Sequence, residues 1–125
     1  MSVNCSRGTN IGVRPNVLIV SSDPTFASVL ERQLGADFEV HAAATDDAAF
    51  LFLDSRSCAC VVIDLCAQPG STLRLNALTI PTVVLVPAHA ETLVPENAIA
   101  CVNDDQHMKR LVAAVRGVVP PSRRP

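Results

Sequence analysis

Two places in the chain carry oxygen-bearing side chains where an α/β protein can use them. In "NVLIVSSDP", residues 16–24, an apolar run empties into Ser21, Ser22 and Asp23 ahead of Pro24. In "CACVVIDL", residues 58–65, the most uniformly apolar run of the chain ends near a single carboxylate, Asp64, and "CAQPGS" follows, its Pro69 and Gly70 marking a tight loop. Both read as buried strands opening into polar loops, and parallel sheets bind ligands at those carboxyl ends. Ser21 and Ser22 suit an anion resting on a helix N-terminus, or plain N-capping, which is the simpler reading. Cys66 follows Asp64 by two residues, and His41 and His89 are candidates to approach the same sheet edge as partners of a nucleophilic thiol, although no spacing demands it. Cys58 and Cys60 form a C-x-C without further ligands beside it, which reads as packed core thiols rather than a metal site. His107 reads as a surface residue of the last helix.

The elements that must position these residues follow from periodicity. Residues 16–20 are a short apolar strand. Ser22 or Asp23 is the N-cap, Pro24 suits the first turn, and Phe26, Val29, Leu30, Gln33 and Leu34 recur at helical spacing until Gly35. A second strand spans 38–43, and a second helix starts at the cap Thr45 with two acids and carries Phe50 and Leu53. The third strand is 58–65, placing Asp64 at its C-terminal tip. "STLRLNAL" makes barely two helical turns before a fourth strand over 80–86, and 98–102 is a fifth. The dozen residues between those last strands contain Pro87 and Pro95, which predicts a very short or missing fourth helix. The closing helix runs from about Gln106 to Val118, with Met108, Leu111, Val112 and Val115 on one face and Asp104 or Asp105 as its cap. The expected fold is three-layered α/β, a five-stranded parallel sheet with helices on both faces.

Composition narrows the function classes. The chain has 125 residues, 49% of them hydrophobic but only 3% aromatic, a core of small branched side chains that suits a covered parallel sheet. One domain over 16–119 is expected, between an N-terminal tail (1–15) and a C-terminal tail or linker (120–125, "PPSRRP"). The net charge is −2 and nine of the ten basic residues are scattered arginines, so no basic field for nucleic acid exists. No apolar run approaches the ~18 residues of a membrane span, and a cytoplasmic location is expected. Five cysteines without paired spacing read as reduced, mostly buried thiols.

Over residues 16–119 the sequence resembles the receiver domain of bacterial response regulators, which implies a flavodoxin-like sheet of strand order 2-1-3-4-5. The resemblance rests on "VLIVSSDP", on "VVIDLCAQPG" with Asp64, on "IPTVVLVPAHA" and on "LVAAVRGVV". It implies that Asp64 stands at the position of the aspartate that accepts a phosphoryl group from a histidine kinase. The other family positions differ. Ser21 and Ser22 stand where two acidic residues hold Mg²⁺, with Asp23 one residue later. Val86 replaces the hydroxyl residue at the end of strand four, Cys101 the aromatic switch residue, and Asn103 or Asp104 the lysine. Each missing carboxylate forfeits on the order of 4 kcal/mol of attraction for the ion, at 4 Å and an effective dielectric of about 20.

The resemblance therefore implies a degenerate receiver, a pseudo-receiver. Its expected role is phosphorylation-independent signalling through a partner protein, an attached effector domain or a second copy of itself, without catalysis and without cofactor. The expected contact face is that of strands four and five with the last helix, including Ile99, Lys109, Val112 and Arg116. The alternative is a two-component receiver phosphorylated on Asp64, which requires Mg²⁺. A small cysteine-dependent enzyme is a third class, and would need a thiol of depressed pKa.

Overall fold

The structure is a computed structural model that describes residues 14–67, 80–87 and 98–119. Five strands form one parallel sheet: β1 (Asn16–Val20), β2 (Glu39–Ala43), β3 (Cys60–Asp64), β4 (Thr82–Val86) and β5 (Ala98–Val102). Their spatial order is β2-β1-β3-β4-β5, the order that the resemblance to receiver domains implies. Three helices are described, α1 (Pro24–Leu34), α2 (Asp46–Ser55) and α3 (His107–Val118). The expected short helix after strand three and the curtailed or missing one between β4 and β5 lie outside the described residues, as do residues 1–13 and the tail 120–125.

The continuous apolar runs are explained by cover on both sides. Val17 and Ile19 of β1, Cys60 and Val62 of β3, and Val83 and Leu85 of β4 pack into one core with Phe26, Leu30 and Leu34 of α1 and Leu111 and Val115 of α3. Their strand neighbours Leu18, Val20, Val61, Ile63 and Val84 point the other way, toward Ala49 of α2. A strand buried on both faces has no polar position to alternate with, so its sequence reads as an unbroken run. The edge strands β2 and β5 are buried at one residue each, Ala43 and Cys101.

Helix starts follow their caps. Asp23 Oδ1 accepts from the amides of Thr25 (3.0 Å) and Phe26 (3.3 Å), and Pro24 occupies the first turn, so the break from β1 into α1 is abrupt. Thr45 Oγ1 accepts from Ala48 N at 3.1 Å at the start of α2. For α3 the acid acts two residues before the cap: Asp104 Oδ1 accepts from Gln106 N at 2.9 Å, while Gln106, the N-cap residue itself, makes no side-chain cap bond. Arg14 and Pro15, assigned to the tail by composition, are tied into the fold. The Arg14 guanidinium donates to the Gly35 carbonyl, and Pro15 O accepts from Glu39 N.

Candidate functional site

Order 2-1-3-4-5 sends the chain one way from β1 to β2 and the other way from β3 onward, so the loops after β1 and β3 part and leave a cleft between them. The cleft has a volume of about 480 Å³. Asp23, Thr25, Phe26 and Val29 border it from the α1 side, Asp64, Cys66 and Ala67 from the end of β3, and Leu85, Asn103, His107 and Met108 from the β4–β5–α3 side.

Asp64 closes the base of this cleft and is 3% exposed. Three neutral donors converge on its carboxylate. The Ser21 hydroxyl donates to Oδ2 at 2.8 Å, and the amides of Cys66 and Ala67 donate to Oδ1 at 3.0 and 3.2 Å. The β1–β3 register brings Ser21 there, because Val20 lies opposite Ile63 and each chain then continues by one residue. Ser21 is itself buried, and its Oγ also accepts from Asp23 N at 3.0 Å. The first serine thus links the strand end to the turn that starts α1, while Ser22 is exposed.

The remaining residues singled out by sequence separate into those at the cleft and those away from it. Val86 packs with the α2-side core, and its neighbour Leu85 faces the cleft instead, since adjacent strand residues point to opposite sides. Cys101 is buried in the other core. Asp104 does not line the cleft; Asn103 does, its Nδ2 donating to Cys66 Sγ at 3.4 Å. Asp104 is occupied in the turn before α3 and pairs with Arg110 at 2.6 Å, which with its amide bond holds its carboxyl below the usual carboxylate range.

Of the expected contact face, Lys109, Val112 and Arg116 border a groove with Gln33 of α1, and Ile99 on β5 is 40% exposed outside that groove. Arg116 also pairs with Asp37 at 3.1 Å.

No activated thiol appears among the described cysteines. Burial pushes Cys58, Cys66 and Cys101 up, and Cys60 up to about 12; at Cys66 the neighbouring Asp64 charge adds to the rise. His41 cannot serve Cys66. Its Nε2 lies 3.2 Å from Asn16 Oδ1 and its ring packs on Phe52 of α2, on the opposite face of the sheet. Cys58 packs against one core and Cys60 is buried in the other, both as core thiols. His89 lies outside the described residues.

The cleft residue that sequence reasoning misplaced is His107. It is half-buried, its ring stacks on Phe26 with centroids 6.4 Å apart, and its Nδ1 lies 2.7 Å from the Asp104 carbonyl. A signal existed in its position, because the first turn of α3 begins at the same strand ends as the other loops.

No protein-family model matches the sequence, and no curated protein sequence matches significantly. The fold does have solved counterparts. A response regulator receiver domain protein from Bacillus halodurans superposes with a TM-score of 0.67 at 16% identity, covering 86% of this chain and 98% of that one. A response regulator receiver protein from Sinorhizobium medicae gives 0.67 at 22% identity, over 85% and 94%. The Vibrio cholerae chemotaxis protein CheY4 gives 0.66 at 16% identity, over 86% and 100%. With its strand order, its layers and a buried aspartate at the tip of the central strand, this chain has the receiver-domain fold.

Proposed function

We propose that this chain is a pseudo-receiver, a signalling module that acts by contact with a partner protein or effector domain and not by accepting a phosphoryl group. The observation that carries the reading is the occupied carboxylate of Asp64, held by the Ser21 hydroxyl and two backbone amides at the base of the cleft.

Phosphoryl transfer depends on cations to neutralise charge that develops on the transferred group. Mg²⁺ demands near-octahedral oxygen ligands, with carboxylates supplying the charge. The described residues do not fit that demand. Ser21 presents a hydroxyl already bonded to Asp64, Asp23 uses Oδ1 to cap α1, and no group of three His, Cys, Asp or Glu is placed to hold a metal ion among the described residues. The described lining of the cleft also contains no lysine or arginine to bind phosphoryl oxygens. At the end of β4, Val86 offers no hydroxyl, and its side chain belongs to the other face.

The reading is tested by incubating the protein with Mg²⁺ and acetyl phosphate and measuring intact mass. No increment is expected. A phosphoryl increment that disappears in Asp64→Asn would establish the alternative, a phosphorylated two-component receiver, for which the placement of Asp64 in an open cleft is the favouring observation.

A further inference from the structure

The three donors that the described residues give Asp64 are all neutral, so among those residues the carboxylate is hydrogen-bonded but its charge is not balanced. The ion pairs among the described residues join Arg14 to Glu39, Arg110 to Asp104 and Arg116 to Asp37, and none reaches Asp64 or Asp23. Buried charges are ordinarily paired, because a lone one keeps most of its desolvation cost. Here a carboxylate that is 3% exposed borders a cleft with a second carboxylate, Asp23, at its exposed rim. Asp23 caps α1 through Oδ1, which leaves Oδ2 at the rim.

The other lining residues define what fits. Phe26, Val29, Leu85 and Met108 give the cleft apolar walls. His107 is the one described lining residue that can carry positive charge. A phosphoryl or carboxylate ligand would meet two negative groups without a strong cation. A fully apolar ligand would leave the charge of Asp64 as it is. A lysine or arginine side chain answers both features, having a long apolar stem and one positive head.

We propose that the cleft receives a lysine or arginine side chain of the partner protein, its stem against Phe26, Val29 and Met108 and its head between Asp23 and Asp64. Carboxylate oxygens each accept about two hydrogen bonds, so Oδ2 of Asp64, with one donor, keeps a place for the head. The partner would thereby supply in trans the positive charge that the described lining lacks. This inference rests on the reading that Asp64 is not a phosphoacceptor, since a phosphorylated Asp64 would repel nothing basic but would fill the same space.

The test uses the full chain, with butylguanidinium as the basic probe and butylurea as its neutral counterpart, followed through backbone amide resonances. Butylguanidinium is expected to shift Ala67 and Asn103 saturably, with millimolar affinity for so small a ligand, and butylurea to bind at least tenfold more weakly. Asp64→Asn, nearly isosteric, should weaken butylguanidinium binding about tenfold, and added salt should weaken it in the wild type. Equal binding of the two probes, no shift at Ala67 and Asn103, or undiminished binding to the variant would overturn the proposal. Asp23→Asn, which keeps the helix cap, provides the same comparison at an exposed position if Asp64→Asn fails to fold. A phosphoryl increment on Asp64 would overturn the functional reading separately, because that measurement contains no basic probe.

Discussion

Ser21 Oγ and Asp64 Oδ2 are 2.8 Å apart, joining the ends of β1 and β3 by a buried hydrogen bond across the point where the chain changes direction. The same hydroxyl accepts from Asp23 N, so one small side chain ties together both strand ends and the start of α1. Ser21→Ala leaves a buried carboxylate oxygen short of its donor and an amide short of its acceptor. Loss of a hydrogen bond to a charged group costs about 1.5–3 kcal/mol. A fall of that size in urea unfolding is expected for Ser21→Ala, whereas Ser22→Ala, at an exposed position, should change stability by less than about 0.5 kcal/mol. Equal effects at the two serines would contradict the assignment.

Ser21→Asp places a second carboxylate beside Asp64 at the base of the cleft. The new carboxylate would face Asp64 at hydrogen-bonding range, and two like charges about 4 Å apart repel by about 4 kcal/mol at an effective dielectric of 20. Strong destabilisation is expected in chelator. A divalent cation between the two carboxylates would relieve part of it, so millimolar Mg²⁺ should raise the unfolding midpoint of Ser21→Asp and leave the wild type unchanged. Chemical unfolding with and without Mg²⁺ reads both. A wild-type midpoint that rises with Mg²⁺ would show that the natural donor set already holds the ion.

Helix α1 and helix α2 present opposite cases of burial, and two leucines separate them. Leu30 of α1 is fully buried between the sheet and the neighbouring helix, whereas Leu51 of α2 is 71% exposed. Leu30→Ala should cost about 2–5 kcal/mol through lost transfer energy and the cavity left behind. Leu51→Ala should stay within about 0.5 kcal/mol. Thermal or urea unfolding of both variants checks the pair, and a large loss at Leu51 would mean that another surface covers α2 in solution.

The fold was legible because its strands announce themselves. "VLIV" and "CVVI" are apolar at every step, a pattern that cover on both faces explains, and the capping residues Asp23 and Thr45 mark where helices begin. Asp64 could be placed at a strand tip for the same reason. What the sequence did not reveal was which of two adjacent residues faces the cleft, because a shift of one residue along a strand reverses the side. Leu85 therefore stands where Val86 was expected, and Asn103 where Asp104 was an equal candidate. His107 was read as a surface residue because its cleft position depends on a tertiary contact, the stacking on Phe26, that no local pattern contains. Ile99, 40% exposed on β5, does not border the groove that Lys109, Val112 and Arg116 line on α3.

The thiols offer a prediction with a defined sign. Burial raises the folded-state pKa of Cys60 from 9.0 to about 12, and it raises Cys58, Cys66 and Cys101 as well. Below pH 9 each thiol is protonated in both the folded and the unfolded chain, so the raised value neither adds nor removes stability there. Between pH 9 and about 12 the unfolded Cys60 releases its proton while the folded one keeps it, and stability falls as pH rises. Unfolding midpoints should therefore decline above pH 9, and Cys60→Ala, though less stable overall, should decline less steeply over the same window. At neutral pH the thiolate fraction of all four is far below that of a reactive cysteine, and alkylation by iodoacetamide should be slower than for a free thiol in the unfolded chain. Rapid modification of Cys66 at pH 7 would reverse this conclusion and restore a cysteine-dependent chemistry at the cleft.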